Sequence, residues 1–224
     1  MQRLSQADHD LVTAAVARAE RDSDGEIVTI VAGRSDAYHD VALHYAVLAM
    51  LAVPALVAAL PQGWIDRAAA LVLGWNPEFS RGGLMLALFV LLVLAFLAVR
   101  LVLAWTPLRM ALTPGLTKTR RVHRRAIALF RTGCELKTRG RTGVLVYLSL
   151  AEHRAEIVAD KAIADRVDPE VWGEAMAALI DEVRAGRPGE GMAAAVGRVG
   201  AVLAPILPKT LDNPNELPDR LIEL

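Results

Sequence analysis

Cysteine is almost missing from this chain: Cys134 is the single one in 224 residues. An intramolecular disulfide is thereby excluded, and the sparse thiol content fits a reducing compartment. Cys134 stands in "FRTGCELK" with no second ligand type at metal spacing, so it reads as a small half-buried residue at a helix end rather than a nucleophile. Net charge is missing too. Lys and Arg together number 25, as do Asp and Glu, and this balance gives no sign of nucleic acid or another polyanion as partner. The opening "MQRLSQADHDLVTAAVARAERDSDGEIV" carries charges throughout and lacks the apolar core of a signal peptide. "MQ" is no myristoylation start, and no prenylation ending is present. Internal repeats and low-complexity tracts are lacking. "GRPGEG" follows a helix with no strand leading into it, so it is no phosphate loop. His153 beside Glu152 has no serine or cysteine at a recognisable spacing, which leaves a hydrolytic triad without support.

What the chain has in excess is apolar sequence. The hydrophobic share is 54% and the mean hydropathy +0.35, above the roughly 45–50% usual in soluble domains. Val41 to Leu60 and Leu84 to Trp105 are apolar blocks of spanning length, since roughly 20 helical residues cross the hydrocarbon core. A helix satisfies every backbone amide internally, as the bilayer requires. His44 near the start of the first block reads as interfacial, Pro54 as a kink, and Arg100 as a snorkelling terminal residue. Between the blocks, "WIDRAAALVLGW" is too short to cross and reads as an interfacial helix, with Trp64, Trp75 and Phe79 suited to the headgroup level. The flank after the second block is strongly basic, with Arg109, Lys118, Arg120, Arg121, Arg124, Arg125, Arg131, Lys137, Arg139 and Arg141 against Glu135. Basic flanks stay inside, and an even number of spans puts both termini in the cytoplasm. The cluster adjoins a membrane exit and lacks interleaved aromatics. Anionic lipid headgroups therefore explain Arg120, Arg121, Arg124 and Arg125 more economically than nucleic acid.

Two segments remain outside the spans, 1–40 and 106–208, with a Pro/Asp/Asn-rich tail over 209–224 that reads as extended; residues 61–83 form the loop on the opposite side. Ser5 caps a first helix with Asp8 three residues on, and Leu11, Ala15, Val16 and Ala19 mark its apolar face. Ile27 to Val31 reads as a central strand. One helix and one strand make no core, so this piece must join the second segment. There a basic amphipathic helix presents Val122, Ala126, Ile127 and Phe130, and "KTRGRTG" connects it to a hairpin. In that hairpin Val144, Val146 and Leu148 share one face, and Leu145 and Tyr147 the other. Asp168, Pro169 and Gly186 start and stop a further helix that turns Val171, Trp172, Ala175, Met176, Leu179 and Val183 inward. A last helix is apolar at Met192, Val196, Val199 and Leu203. The pattern predicts a compact α/β fold, a short mixed sheet flanked by helices, interrupted by a two-helix transmembrane hairpin.

"AVARAERDSDGEIVTIVAGRSDAY" resembles the first helix and strand of the TPM domain, and the stretch from "ALFRTGCELK" through "DEVRAG" resembles its body. The family takes its name from a thylakoid lumen protein, a photosystem II repair protein and a nematode acetylcholine-receptor modulator. The bacterial membrane branch, in which a pair of spans splits the domain, is the nearest form. The resemblance implies an auxiliary or scaffold module for another membrane protein, and this branch is often encoded beside LemA-like membrane proteins. Some members are described as acid phosphatases and some bind calcium. The acidic, glycine-containing motif that precedes the first helix in secreted and lumenal members is replaced here by "MQRLSQADHD". Its missing aspartate weighs against carrying metal binding and phosphatase activity over.

The residues themselves offer one metal candidate. Asp24 and Glu26 stand at the start of the first strand, and Glu156 and Asp160 are spaced to face one side of the hairpin's second strand. A hard cation such as Ca²⁺ wants several oxygens converging from different segments, and Asp24, Glu26 and Asp160 converge if these strands are neighbours. Turn aspartates and solvated edge positions are the competing reading. The leading expectation is therefore a non-catalytic binding module with no cofactor, in contact with membrane lipids and another membrane protein. A calcium-dependent phosphatase and an anionic-lipid binder are the alternatives, and self-association is left open.

Overall fold

The computed structural model describes residues 4–73, 80–135, 142–210 and 217–224. Expectations for Trp75, Phe79, the Cys134 side chain and most of the "KTRGRTG" connector lie outside the described residues. The chain divides into two units, Tyr38–Thr113 and the pair Met1–Ala37 with Pro114–Leu224.

The α/β unit begins with α1 (Gln6–Ala19), opened by a full capping box: Asp8 N donates to Ser5 Oγ (3.2 Å) and Ser5 N donates to Asp8 Oδ2 (2.8 Å). Its buried ridge is Val12, Ala15 and Val16, while Leu11 stays 41% exposed. Ala15, Val16 and Ala19 of the expected face meet the core, and Val12 takes the place of Leu11 because Val12 and Val16 form the i, i+4 ridge. β1 (Glu26–Ala32) follows and is buried along its whole length. After the interruption come α6 (Gly115–Phe130), closed by a π turn over Arg131–Glu135, then β2 (Gly143–Ser149) and β3 (Arg154–Ala159). The short α7 (Lys161–Ala164), α8 (Pro169–Arg184), α9 (Pro188–Ile206) and β4 (Ile222–Glu223) complete the unit.

The sheet order is β3-β2-β1-β4. β1 and β2 run parallel in the register Glu26↔Gly143 to Ala32↔Ser149, β2 and β3 form the antiparallel hairpin, and β4 adds parallel to β1. The sheet is mixed, as the sequence pattern implies. Parallel neighbours need a long crossover, and here that crossover contains the entire 38–113 unit plus α6. Ile27, Val31, Val144, Val146 and Leu148 face α1, α8 and α9, contributing to a core with Leu179, Met192, Val196, Val199 and Leu203. Val28, Ile30, Leu145 and Tyr147 face Val122, Ala126 and Phe130 of α6. The end of the tail does more than lie along the surface. Leu217 and Leu221 are buried, Leu224 N donates to Val31 O (2.9 Å), and Gly33 N donates to Leu224 O (3.1 Å).

α8 starts and stops where its sequence says. Glu170 N donates to Asp168 Oδ1 (3.0 Å), and Gly186 turns left-handed at φ 81°. α9 lies against α1 with Gly200 facing Ala19, where a Cβ would stand 2.5 Å from that of Ala19.

The second unit holds α2 (His39–Ala59), α3 (Gln62–Leu73), α4 (Arg81–Val102) and α5 (Thr106–Leu112). α2 and α4 lie side by side and are long and apolar enough to cross a membrane, with mean hydropathies of 2.1 and 2.9. No residue of α4 is buried, so Leu86, Phe89, Leu94, Leu97 and Leu101 all point outward. Such a surface is a natural one in lipid. The unit is wider than the expected insertion, because Tyr38, Val41 and Met110 form a small core of their own. Arg109 is not a surface charge of the basic flank. It is 4% exposed, and its guanidinium donates to Leu103 O (3.3 Å) and Thr106 Oγ1 (3.4 Å). His44 bonds through Nδ1 to Asp40 O at 2.6 Å.

Candidate functional site

Most of the buried polar side chains of the α/β unit gather at the two ends of β1. At its start stand Glu20, Asp24 and Glu26, brought there by the helix end, the following turn and the first strand residue. Each carboxylate holds backbone. Ile27 N donates to Glu20 Oε1 (2.7 Å). Thr210 donates to Asp24 twice, from N to Oδ1 (2.9 Å) and from Oγ1 to Oδ2 (2.7 Å). Leu217 N donates to Glu26 Oε2 (3.2 Å). Asp24 and Glu26 thereby strap the segment after α9 to the sheet. Burial pushes the Glu20 carboxyl up to about 8, helped by the charges of Glu26 and Asp219 and opposed by the Ile27 amide and Lys209.

Of the four tentative metal ligands, Asp24 and Glu26 share this end. Asp160 lies at the same end of the sheet, across β2, where Gly143 N donates to its Oδ2 (3.0 Å); Gly143 is the register partner of Glu26. Glu156 sits further along β3, with its Oε2 3.2 Å from His123 Nδ1 of α6. Among the described residues no group of three or more His, Cys, Asp or Glu side chains is placed to hold a metal ion.

The other end is better built. Where β1 and β2 finish side by side, Ser35 Oγ lies 2.9 Å from the Tyr147 hydroxyl and donates to Ser149 Oγ (2.8 Å). Ser149 Oγ donates to Glu152 Oε2 (2.6 Å), and Ser35 N donates to Glu152 Oε1 (3.0 Å). Glu152 and Ser149 are buried, and burial raises the pKa of Tyr147. His153, left-handed at φ 48°, makes the turn that sends Glu152 inward. One residue on, Arg121 Nη1 of α6 donates to Asp36 Oδ2 (2.8 Å). The segment 33–36, from which the chain leaves the α/β unit, is thus pinned to the hairpin turn and to α6. The bonds run from hydroxyl to hydroxyl to carboxylate with no imidazole in the series, so the arrangement fixes a loop more readily than it activates a nucleophile. Sequence reasoning placed Glu152 in a turn and missed Ser35 and Ser149. The signal that finds them is the parallel register of β1 with β2, which no local pattern carries.

No family model matches the sequence, and no curated protein matches it. Among solved structures the chain is similar to the NMR structure of BA42 protein from the psychrophilic bacterium Bizionia argentinensis. The match has a TM-score of 0.55 at 16% identity and covers 100% of this chain and 97% of that one. At that identity the likeness is one of fold, and it agrees with the mixed α/β architecture.

Proposed function

We propose that the chain is a membrane-anchored, TPM-like domain of the bacterial plasma membrane that serves as a non-catalytic binding or scaffold module for another membrane protein. The observation that carries this reading is the split of one hydrophobic core by a helical unit with an outward apolar surface. β1, delivered before the spans, is an interior strand paired on one side with β2, which follows them, so the fold is completed only when both segments meet on one side of the bilayer. The basic flank supports a cytoplasmic position for that side. A LemA-like membrane protein is the first partner to test. Crosslinking in native membranes followed by purification should recover such a protein in fixed ratio with this chain; a monomer without a partner overturns the reading. The alternative, a divalent-metal phosphatase, draws less support, because Asp24, Glu26 and Asp160 hold the amides of Thr210, Leu217 and Gly143. Calcium-stimulated phosphatase activity of the full chain that is lost in Asp160→Ala would restore it.

A further inference from the structure

We propose that the outward ridge of α6, Leu116, Arg120 and Arg124, docks on an anionic lipid surface, while Arg121 serves the loop instead. The helix buries Val122, Ala126 and Phe130 against the sheet. At 100° per residue, Leu116, Arg120, Arg124 and Ala128 follow one another at i, i+4 on the opposite side. All four are exposed, Leu116 by 75%. Between Gly115 and Phe130 there is no acidic residue, so Arg120 and Arg124 repel at i, i+4 with no carboxylate on the helix to offset them. Arg121 is different. Its guanidinium is committed to Asp36 at 2.8 Å and its side chain is 15% exposed. Arg125 carries its charge near the Tyr147 hydroxyl. The four arginines that look alike in sequence thus divide into a ridge pair and a flank pair.

Among the described residues neither Arg120 nor Arg124 is ion-paired, and chain continuity favours lipid headgroups as the anion that meets them. The second apolar helix ends at Val102 and α6 begins at Gly115, so lipid headgroups are kept within reach by the covalent chain itself. A leading leucine followed by arginines suits that surface, with the apolar side chain entering the interface and the guanidinium groups meeting phosphate. The inference rests on the membrane-anchored part of the proposed function and not on its partner, since lipid docking and co-purification are read separately.

The test uses the full chain with Cys134→Ser and a spin label on Ala128→Cys, reconstituted in nanodiscs of phosphatidylcholine with or without phosphatidylglycerol. In anionic discs the label should collide more with a lipid-phase relaxant and less with an aqueous one, and added salt should reverse the change. Arg120→Gln with Arg124→Gln should lower the docked-to-undocked ratio about thirty-fold, from about fivefold per arginine. A label on Glu174→Cys of α8, carried by the same folded chain, should not respond. Equal accessibility of position 128 in both lipids overturns the proposal. So does protection of that label by RNA in phosphatidylcholine discs that the same substitutions abolish, which would assign the ridge to nucleic acid.

Discussion

Glu20 is buried among other acids at the start of β1, and its carboxyl is pushed up to about 8 from an ordinary 4.5. The folded state therefore binds this proton more tightly than the unfolded one. The contribution is fully present below pH 4.5 and is lost as the pH rises through 8. Glu20→Gln keeps an oxygen for the Ile27 amide and removes the charge. It should raise the stability of the α/β unit at pH 8 by about 1–3 kcal/mol and change little at pH 5, as thermal melts of the reconstituted protein at the two pH values would show. Thr29 presents a second residue-level anomaly. Its hydroxyl is buried in the middle of β1 without a hydrogen-bond partner among the described residues. Thr29→Val keeps the shape and removes the unsatisfied group, so denaturant unfolding should show a gain of about 1 kcal/mol. Neither anomaly was legible in the sequence. "EIVTIVAG" announces a buried strand, but whether a threonine within it meets a partner depends on the helices packed over it.

Elements were read more successfully, and the reasons differ from one to the next. α8 carries its own start and stop in Asp168, Pro169 and Gly186, and the alternation of Val144 to Leu148 assigns each residue to its face. Those signals are local, so sequence suffices. β4 has no such signal, because two residues paired to β1 become a strand only through a partner distant in sequence. The tentative metal ligands show the same division: Asp24, Glu26 and Glu156 stand in the turn and strands the sequence indicates, whereas Asp160 falls just beyond β3 at the N-cap of α7, and the commitment of three of the four to the amides of Thr210, Leu217 and Gly143 depends on tertiary folding. At the α1–α9 contact, a matched pair of substitutions separates packing from propensity. Gly200→Ala pushes a methyl into Ala19 and should cost about 1–3 kcal/mol. Gly197→Ala, three residues earlier on the same helix, meets nothing within 4 Å and should stabilise by about 0.5–1 kcal/mol. Equilibrium unfolding of the two variants side by side gives the comparison.

In the molecule as a whole, one α/β core is assembled from segments that flank, in sequence, a unit with two helices long and apolar enough to cross a membrane. α1 and β1 precede the first apolar helix, whereas β2, β3, α8 and α9 follow the second. If both apolar helices cross the bilayer, these segments lie on one side and Trp64, between the helices, on the other. Single cysteines at Asp10, Glu174 and Trp64, each in a Cys134→Ser background, can be challenged in intact cells with a membrane-impermeant maleimide. All three native side chains are exposed. The account predicts labelling at position 64 alone, with positions 10 and 174 labelled only after the membrane is opened. Labelling of position 10 and position 174 from opposite sides, or protection of position 64 together with both, would contradict it.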